Sequence, residues 1–316
     1  MSIPLRWAER HDIEAGDTAY LYPNGDGSLL IHWGERERGE LAATQIPLVD
    51  ADPQTAIWAI RSAYTAGFDR FTLCTQNAFT SKQRQAISAC ARRLVGAEIF
   101  AETDRRVTIR DMLDSDDLSL RQLLLQQRST ALSMNEAMTE LVVGELDRCD
   151  RTVDRDDDAD RIFRLITRQF NRSLSEHAEP SRVGTSRQQL FEYYVTARQF
   201  ERIADHAVKI VRFVRRTDRD ISGDLLPEVR SISADARRIV KEASDVVLGD
   251  GSRASCRSAL ERRERVIRRA RDLDLTLLDR APADAYVLTR TLDSLIRTAK
   301  HGGNIAELRL RASLLE

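Results

Sequence analysis

Glu201 and Asp205 are the residues whose types and spacing point most directly to chemistry. They stand four apart in FERIADHAVKI at 200–210, followed at once by His206. If that stretch is helical, a spacing of four sets both carboxylates on one face, one turn apart, where they can share a cation or an Arg. The bland alternative is a solvated or salt-bridged helix face with Arg202, Lys209 and Arg161 as partners. His206 and His301 read as packing or hydrogen-bonding residues rather than ligands.

The element that must position them runs from Thr185, its expected cap, to Arg215. Leu190, Tyr193, Ala197, Phe200, Ile203, Ala204, Ala207, Val208, Val211 and Val214 recur at three- and four-residue steps, with no Pro or Gly between them. That is the apolar stripe of one long amphipathic helix.

The rest of the chain bounds the answer. With 316 residues, two or three domains are expected. Charged residues make up 31% and Gly and Pro are scarce, which favours helix over disorder. A net charge of −1 does not mark the whole molecule as a nucleic-acid binder. Cys74, Cys90, Cys149 and Cys256 are dispersed, as buried reduced thiols are. No signal peptide or membrane-length apolar run is found, so a cytoplasmic protein without membrane insertion is expected.

In order, residues 1–34 read as short β elements, with Asn24-Gly25-Asp26-Gly27 as a turn between strand-like runs. Residues 41–110 alternate strand and helix patterns: strands at Thr44–Val49, Phe71–Thr75, Ala97–Ala101 and Arg106–Ile109, helices at Gln54–Ala66 and Ser81–Leu94. This small α/β unit holds no Gly-rich phosphate loop and no GxSxG. Beyond Met112, helices are predicted at 118–143, 146–174, 186–215, 226–248, 254–279 and 284–314. FERIADHAVKI at 200–210 aligns with LIRTAKHGGNI at 295–305, pairing His206 with His301 and Lys209 with Asn304, so the six helices form two three-helix units in tandem. The fold class is mainly α, tandem bundles preceded by a β hairpin and an α/β unit. The expected boundaries are 1–40, 41–111, 112–220 and 221–316.

Two charge runs stand out. Glu145–Arg161 is acidic and Arg253–Arg271 is Arg-rich. Both are solvated helix faces or, on the sharper reading, complementary docking surfaces. The glycines of His301-Gly302-Gly303 are expected to permit close helix approach, since Gly costs about 1 kcal/mol in a helix and needs a reason to be there.

Two resemblances join these readings. SIPLRWAERHDIEAGDTAYLYPNGDGSLLI resembles the second half of a SpoVT-AbrB domain, a family in which two chains interlace hairpins into a DNA-binding barrel. The family's first strand and basic leading segment are missing from this sequence, and Leu5 stands where Lys is common. A β unit used for dimerisation or docking is therefore expected, with DNA binding as the alternative. The tandem repeat, together with Asp156-Asp157-Asp158-Ala159-Asp160-Arg161-Ile162, resembles the PhoU phosphate-uptake regulator family.

The PhoU resemblance implies a non-enzymatic regulator, a homodimer, that contacts a phosphate ABC transporter or a signalling partner. It also implies iron or zinc at E/D-x-x-x-D motifs, which fall here on Asp156, Asp160, Glu201 and Asp205. Four carboxylates on adjacent helices do repel unless a cation or protons neutralise them. In the second copy Ile296 and Lys300 replace the acids, leaving Asn304, Glu307 and Asp274, with Ala270 a turn before Asp274. Lys300 is expected to act as the counter-charge to a neighbouring acid there. The alternative function is an AbrB-type transcriptional regulator that uses the bundle as sensor or dimeriser. A carboxylate-bridged metalloenzyme would want Glu-x-x-His pairs, which the chain lacks.

Overall fold

The computed structural model describes residues 3–23, 29–33, 42–48, 52–113, 119–144, 150–175, 185–217 and 223–314. The predicted turn at 24–27 lies outside the described residues, as does the whole connection at 177–182.

The first stretch departs from an all-β reading. Leu5–Arg10 forms a short helix, α1, because Pro4 supplies a fixed φ before it and its carbonyl accepts from the Trp7 and Ala8 amides. A hairpin follows, β1 (Ala19–Pro23) antiparallel to β2 (Leu29–Trp33). Trp7 packs edge-on against Trp33, with ring centroids 5.4 Å apart, which ties α1 to the hairpin.

The α/β unit is built as the patterns predict. Its elements are β3 (Ala43–Pro47), α2 (Pro53–Ala66), β4 (Arg70–Cys74), α3 (Ser81–Arg92), β5 (Ala97–Glu102) and β6 (Arg106–Asp111). The sheet order is β3-β4-β6-β5, with only the β3–β4 pair parallel. Alternation turns Phe71, Leu73, Val107 and Ile109 inward, where they share a core with Ala56, Ile60, Ile87 and Cys90 of the two helices. Asp52 caps α2 by accepting from the Thr55 amide, and Thr80 and Gln83 form a capping box on α3.

Among the described residues the remainder forms six helices: α4 (Leu120–Val142), α5 (Asp150–Ser175), α6 (Arg187–Thr217), α7 (Leu226–Val247), α8 (Arg253–Arg280) and α9 (Ala285–Ala312). All six lie within a few residues of the predicted spans. The cap of α6 is Ser186 rather than Thr185: its hydroxyl accepts from the Gln189 amide, while Thr185 reaches the Gln189 side chain. α4, α5 and α6 pack on one another, as do α7, α8 and α9. The two triplets then meet through α6 against α9 and α4 against α7.

A single hydrophobic core runs through both triplets, from Leu124 and Phe200 to Ile239 and Leu295. Inside it lies a buried polar ladder. Asn135 donates to Thr298 (3.1 Å), and Thr139 lies 2.7 Å from Ser233. Each group finds its partner on the other triplet, which specifies how the two are registered.

The α/β unit is locked to α5 by a buried cation. Arg168 is fully buried and donates to the carbonyls of Tyr64 and Phe68, both at 2.9 Å. It also pairs with Asp69 (3.0 Å) and Asp111 (2.8 Å), and its guanidinium lies over the Tyr64 ring. Arg172 adds a second bond to Asp69 at 2.6 Å. Two carboxylates and two carbonyls offset the desolvation of the guanidinium. Gly67, at φ +101°, is required here twice over. It ends α2 in the left-handed region, and a Cβ there would sit 2.7 Å from Cγ of Arg172.

Candidate functional site

The four acids singled out from the sequence lie on two neighbouring antiparallel helices, Asp156 and Asp160 on α5, Glu201 and Asp205 on α6. Helical spacing puts each pair on one face, and α5–α6 packing brings the pairs together. Their charges are felt between the helices. Burial, then Asp205 and Asp160, push the Glu201 carboxyl up to about 7. Burial, then Asp160 and Asp205, push Asp156 up to about 6.

The other two acids already have cations. Asp160 pairs with Arg164 one turn along α5. Asp205 pairs with Lys209 at 3.1 Å, on an exposed stretch of α6. Among the described residues no group of three or more His, Cys, Asp or Glu converges in a way that would hold a metal ion. The arrangement therefore fits an acidic face that holds protons and ion pairs near neutral pH. A metal would have to displace both cations, and no step below is routed through one.

His206 and His301 meet at the α6–α9 seam, stacked with centroids 5.8 Å apart. Nδ1 of His301 is 2.8 Å from Oε1 of Gln199, which also accepts from Asn304 (3.2 Å). Burial and the neighbouring His206, Arg202 and Arg297 hold His301 down to about 4. The packing role read from the sequence is what the geometry shows.

The second copy carries different chemistry at the same positions. Asp274 accepts from Thr289 (2.7 Å), Glu307 pairs with Arg263 (2.6 Å), and Ala270 is buried. Lys300 departs from expectation: it makes no ion pair among the described residues. Gly302 does permit close approach, since a Cβ there would meet Ile239 at 2.8 Å and the Val240 amide nitrogen at 2.9 Å.

Part of the Arg-rich run on α8 is consumed inside its own triplet. Arg269 pairs with Glu228 and Asp235 and Arg262 with Asp235, all on α7. Cys90 and Cys256 are buried free thiols, Cys74 is free but only half-buried rather than buried as expected, and Cys149 lies outside the described residues.

Two features were missed in the sequence. The Arg168 junction has no local signature, because Asp69 and Asp111 lie far from it in the chain. The repetition of Arg202 as Arg297 was visible in the alignment of the two copies and marks where positive charge gathers.

Fold and site together define a helical bundle of two packed triplets with charged faces. A PhoU domain model matches residues 126–214, which cover most of α4, all of α5 and most of α6. No curated protein matches the chain. Among solved structures the crystal structure of PhoU from Pseudomonas aeruginosa is similar, with a TM-score of 0.54 and 20% identity. The match covers 62% of this chain and 96% of that one, and it establishes the fold of the bundle. No helix among the described residues is long and apolar enough to cross a membrane.

Proposed function

We propose that the chain is a non-enzymatic, PhoU-like regulator of phosphate uptake and homeostasis. It acts in the cytoplasm as a homodimer, by contact with a phosphate ABC transporter or its signalling partner. The observation that carries this reading is the PhoU domain match at 126–214 on α4–α6, the triplet that bears the acidic face. Chemistry supports it. At the seam His301 bonds to Gln199 and stacks on His206, contacts that hold packed helices together. What is assembled is a set of charged helix faces on a rigid core, which is what steered, specific contact uses.

The test is phosphate uptake in the native cell with and without the gene, at high external phosphate. Loss of the protein should raise uptake, and the protein should co-purify with transporter or signalling components. Unchanged uptake together with no such co-purification overturns the reading.

In this reading the acidic face is tuned by protons. Iron or zinc at Asp156, Asp160, Glu201 and Asp205 is the second occupant, supported by the two elevated carboxyls, which make no ion pair among the described residues. It is checked by metal analysis of protein purified without chelator. A DNA-binding role for the head rests on the β1–β2 hairpin, the element an AbrB-type barrel would interlace. A gel shift at two salt concentrations decides it, since phosphate contacts make affinity fall with salt.

A further inference from the structure

The second triplet carries a cleft of about 390 Å³ where the first carries its acidic face. Arg263 of α8 and Arg297, Lys300, His301 and Asn304 of α9 line it, with Asp293 as the one carboxylate in the lining. Of the three permanent cations Arg263 is already paired with Glu307 and Glu264, which leaves Arg297 and Lys300 beside Asp293. Arg297 and Lys300 make no ion pair or hydrogen bond among the described residues, although ion pairs occupy Arg262, Arg263 and Arg269 nearby.

The third cation is placed by a glycine. A Cβ on Gly303 would lie 2.5 Å from Cδ and 2.7 Å from Nη1 of Arg263, so the guanidinium lies across α9 only because that side chain is missing. Glu307, at 2.6 Å from Nη1, holds it there. A helix interior accepts two adjacent glycines at a cost, and here one admits α7 while the other admits an arginine.

We propose that this cleft is a binding site for a multiply charged phosphoryl oxyanion. Arg297 and Lys300 stand within one turn of each other with no ion pair among the described residues, and a di- or polyanion relieves their repulsion. Guanidinium forks match phosphoryl oxygens two at a time, and the ammonium of Lys300 adds a point charge. The volume lies within the range of small-molecule sites, large enough for linked phosphoryl groups. The inference rests on charge and shape and is independent of the regulator reading, so either can fail alone.

Calorimetric titration of the full chain with inorganic phosphate, pyrophosphate and ATP, at matched ionic strength in chloride, tests it. Saturable binding is expected, tighter for pyrophosphate than for phosphate. Arg297→Glu and Lys300→Glu should each weaken it roughly tenfold or more, while Lys82→Glu on α3 should not. Both cleft positions are exposed, so the variants are expected to keep the native circular dichroism. Gly303→Ala, which displaces Arg263 and keeps every charge, should weaken binding less. Tighter binding of ATP than of pyrophosphate would place the phosphoryl groups on a nucleotide; the reverse would make them free. Absence of saturable binding for all three overturns the site, as does binding that the cleft variants leave unchanged or that Lys82→Glu weakens equally.

Discussion

The two triplets share a helical plan and a hydrophobic core, yet their equivalent surfaces carry opposite charge. Glu201 and Asp205 of the first correspond to Ile296 and Lys300 of the second, while Arg202 and Arg297 keep their place. At the seam between them His206 meets His301. Apolar positions at helical spacing specify the fold, so the polar positions between them are free to diverge. The duplicated frame holds two different surfaces, one that gathers protons and cations and one built to gather anions.

The largest difference between the triplets is that only α5 carries the α/β unit. Arg168→Met leaves Asp69 and Asp111 without their buried partner and should cost ~3–5 kcal/mol. Urea unfolding should then show the α/β unit melting apart from the bundle. A single transition at wild-type stability would mean that the junction does not couple them.

Next comes the close helix approach, found in the second triplet. Gly302→Val forces a side chain against Ile239 and the α7 backbone and should cost ~1–3 kcal/mol by thermal melting. At the equivalent place in the first triplet, Ala207→Gly should cost only ~1 kcal/mol, the helix propensity difference. Equal losses would break the comparison.

The acidic face should show itself through pH. Glu201 and Asp156 bind their protons more tightly folded than unfolded, so their contribution is intact below the usual carboxylate range. It is lost as pH rises, for Glu201 between its ordinary 4.5 and about 7. Glu201→Gln should therefore gain stability relative to wild type across that window and hold the gain above it. His301, held down to about 4, acts in the opposite sense, its contribution lost as pH falls below 6.5. Comparing the variant with wild type at each pH cancels that part. A difference that stays flat from pH 4 to 8 would mean that Glu201 is not coupled to its neighbours.

The smallest effect belongs to Lys209→Ala. It removes an exposed i, i+4 pair and should cost no more than ~0.5 kcal/mol. It also frees Asp205, so metal affinity, if the first triplet has any, should rise in this variant on titration with zinc.

Much of this was legible in the chain. Leu190, Phe200, Ile203 and Val211 announce α6 by spacing alone, and all of them are buried. The alignment of 200–210 with 295–305 gave the duplication, and Gly302 signalled a tight crossing. The first stretch was less legible. Leu5–Arg10 turned helical on a Pro start too short to show a period, and the Thr185–Ser186 pair offered two hydroxyls for one cap.

Local pattern thus determined which segments are helices, which faces are apolar and which acids share a turn, because those properties depend on neighbours a few residues away. Only the folded chain decided that the two acidic pairs feel each other across α5 and α6. It alone brought Arg263 across Gly303 toward Arg297 and Lys300, and buried Arg168 between two aspartates forty-two residues apart in sequence, Asp69 and Asp111. Electrostatic partners are chosen by distance through space, and periodicity along the chain carries no record of that distance.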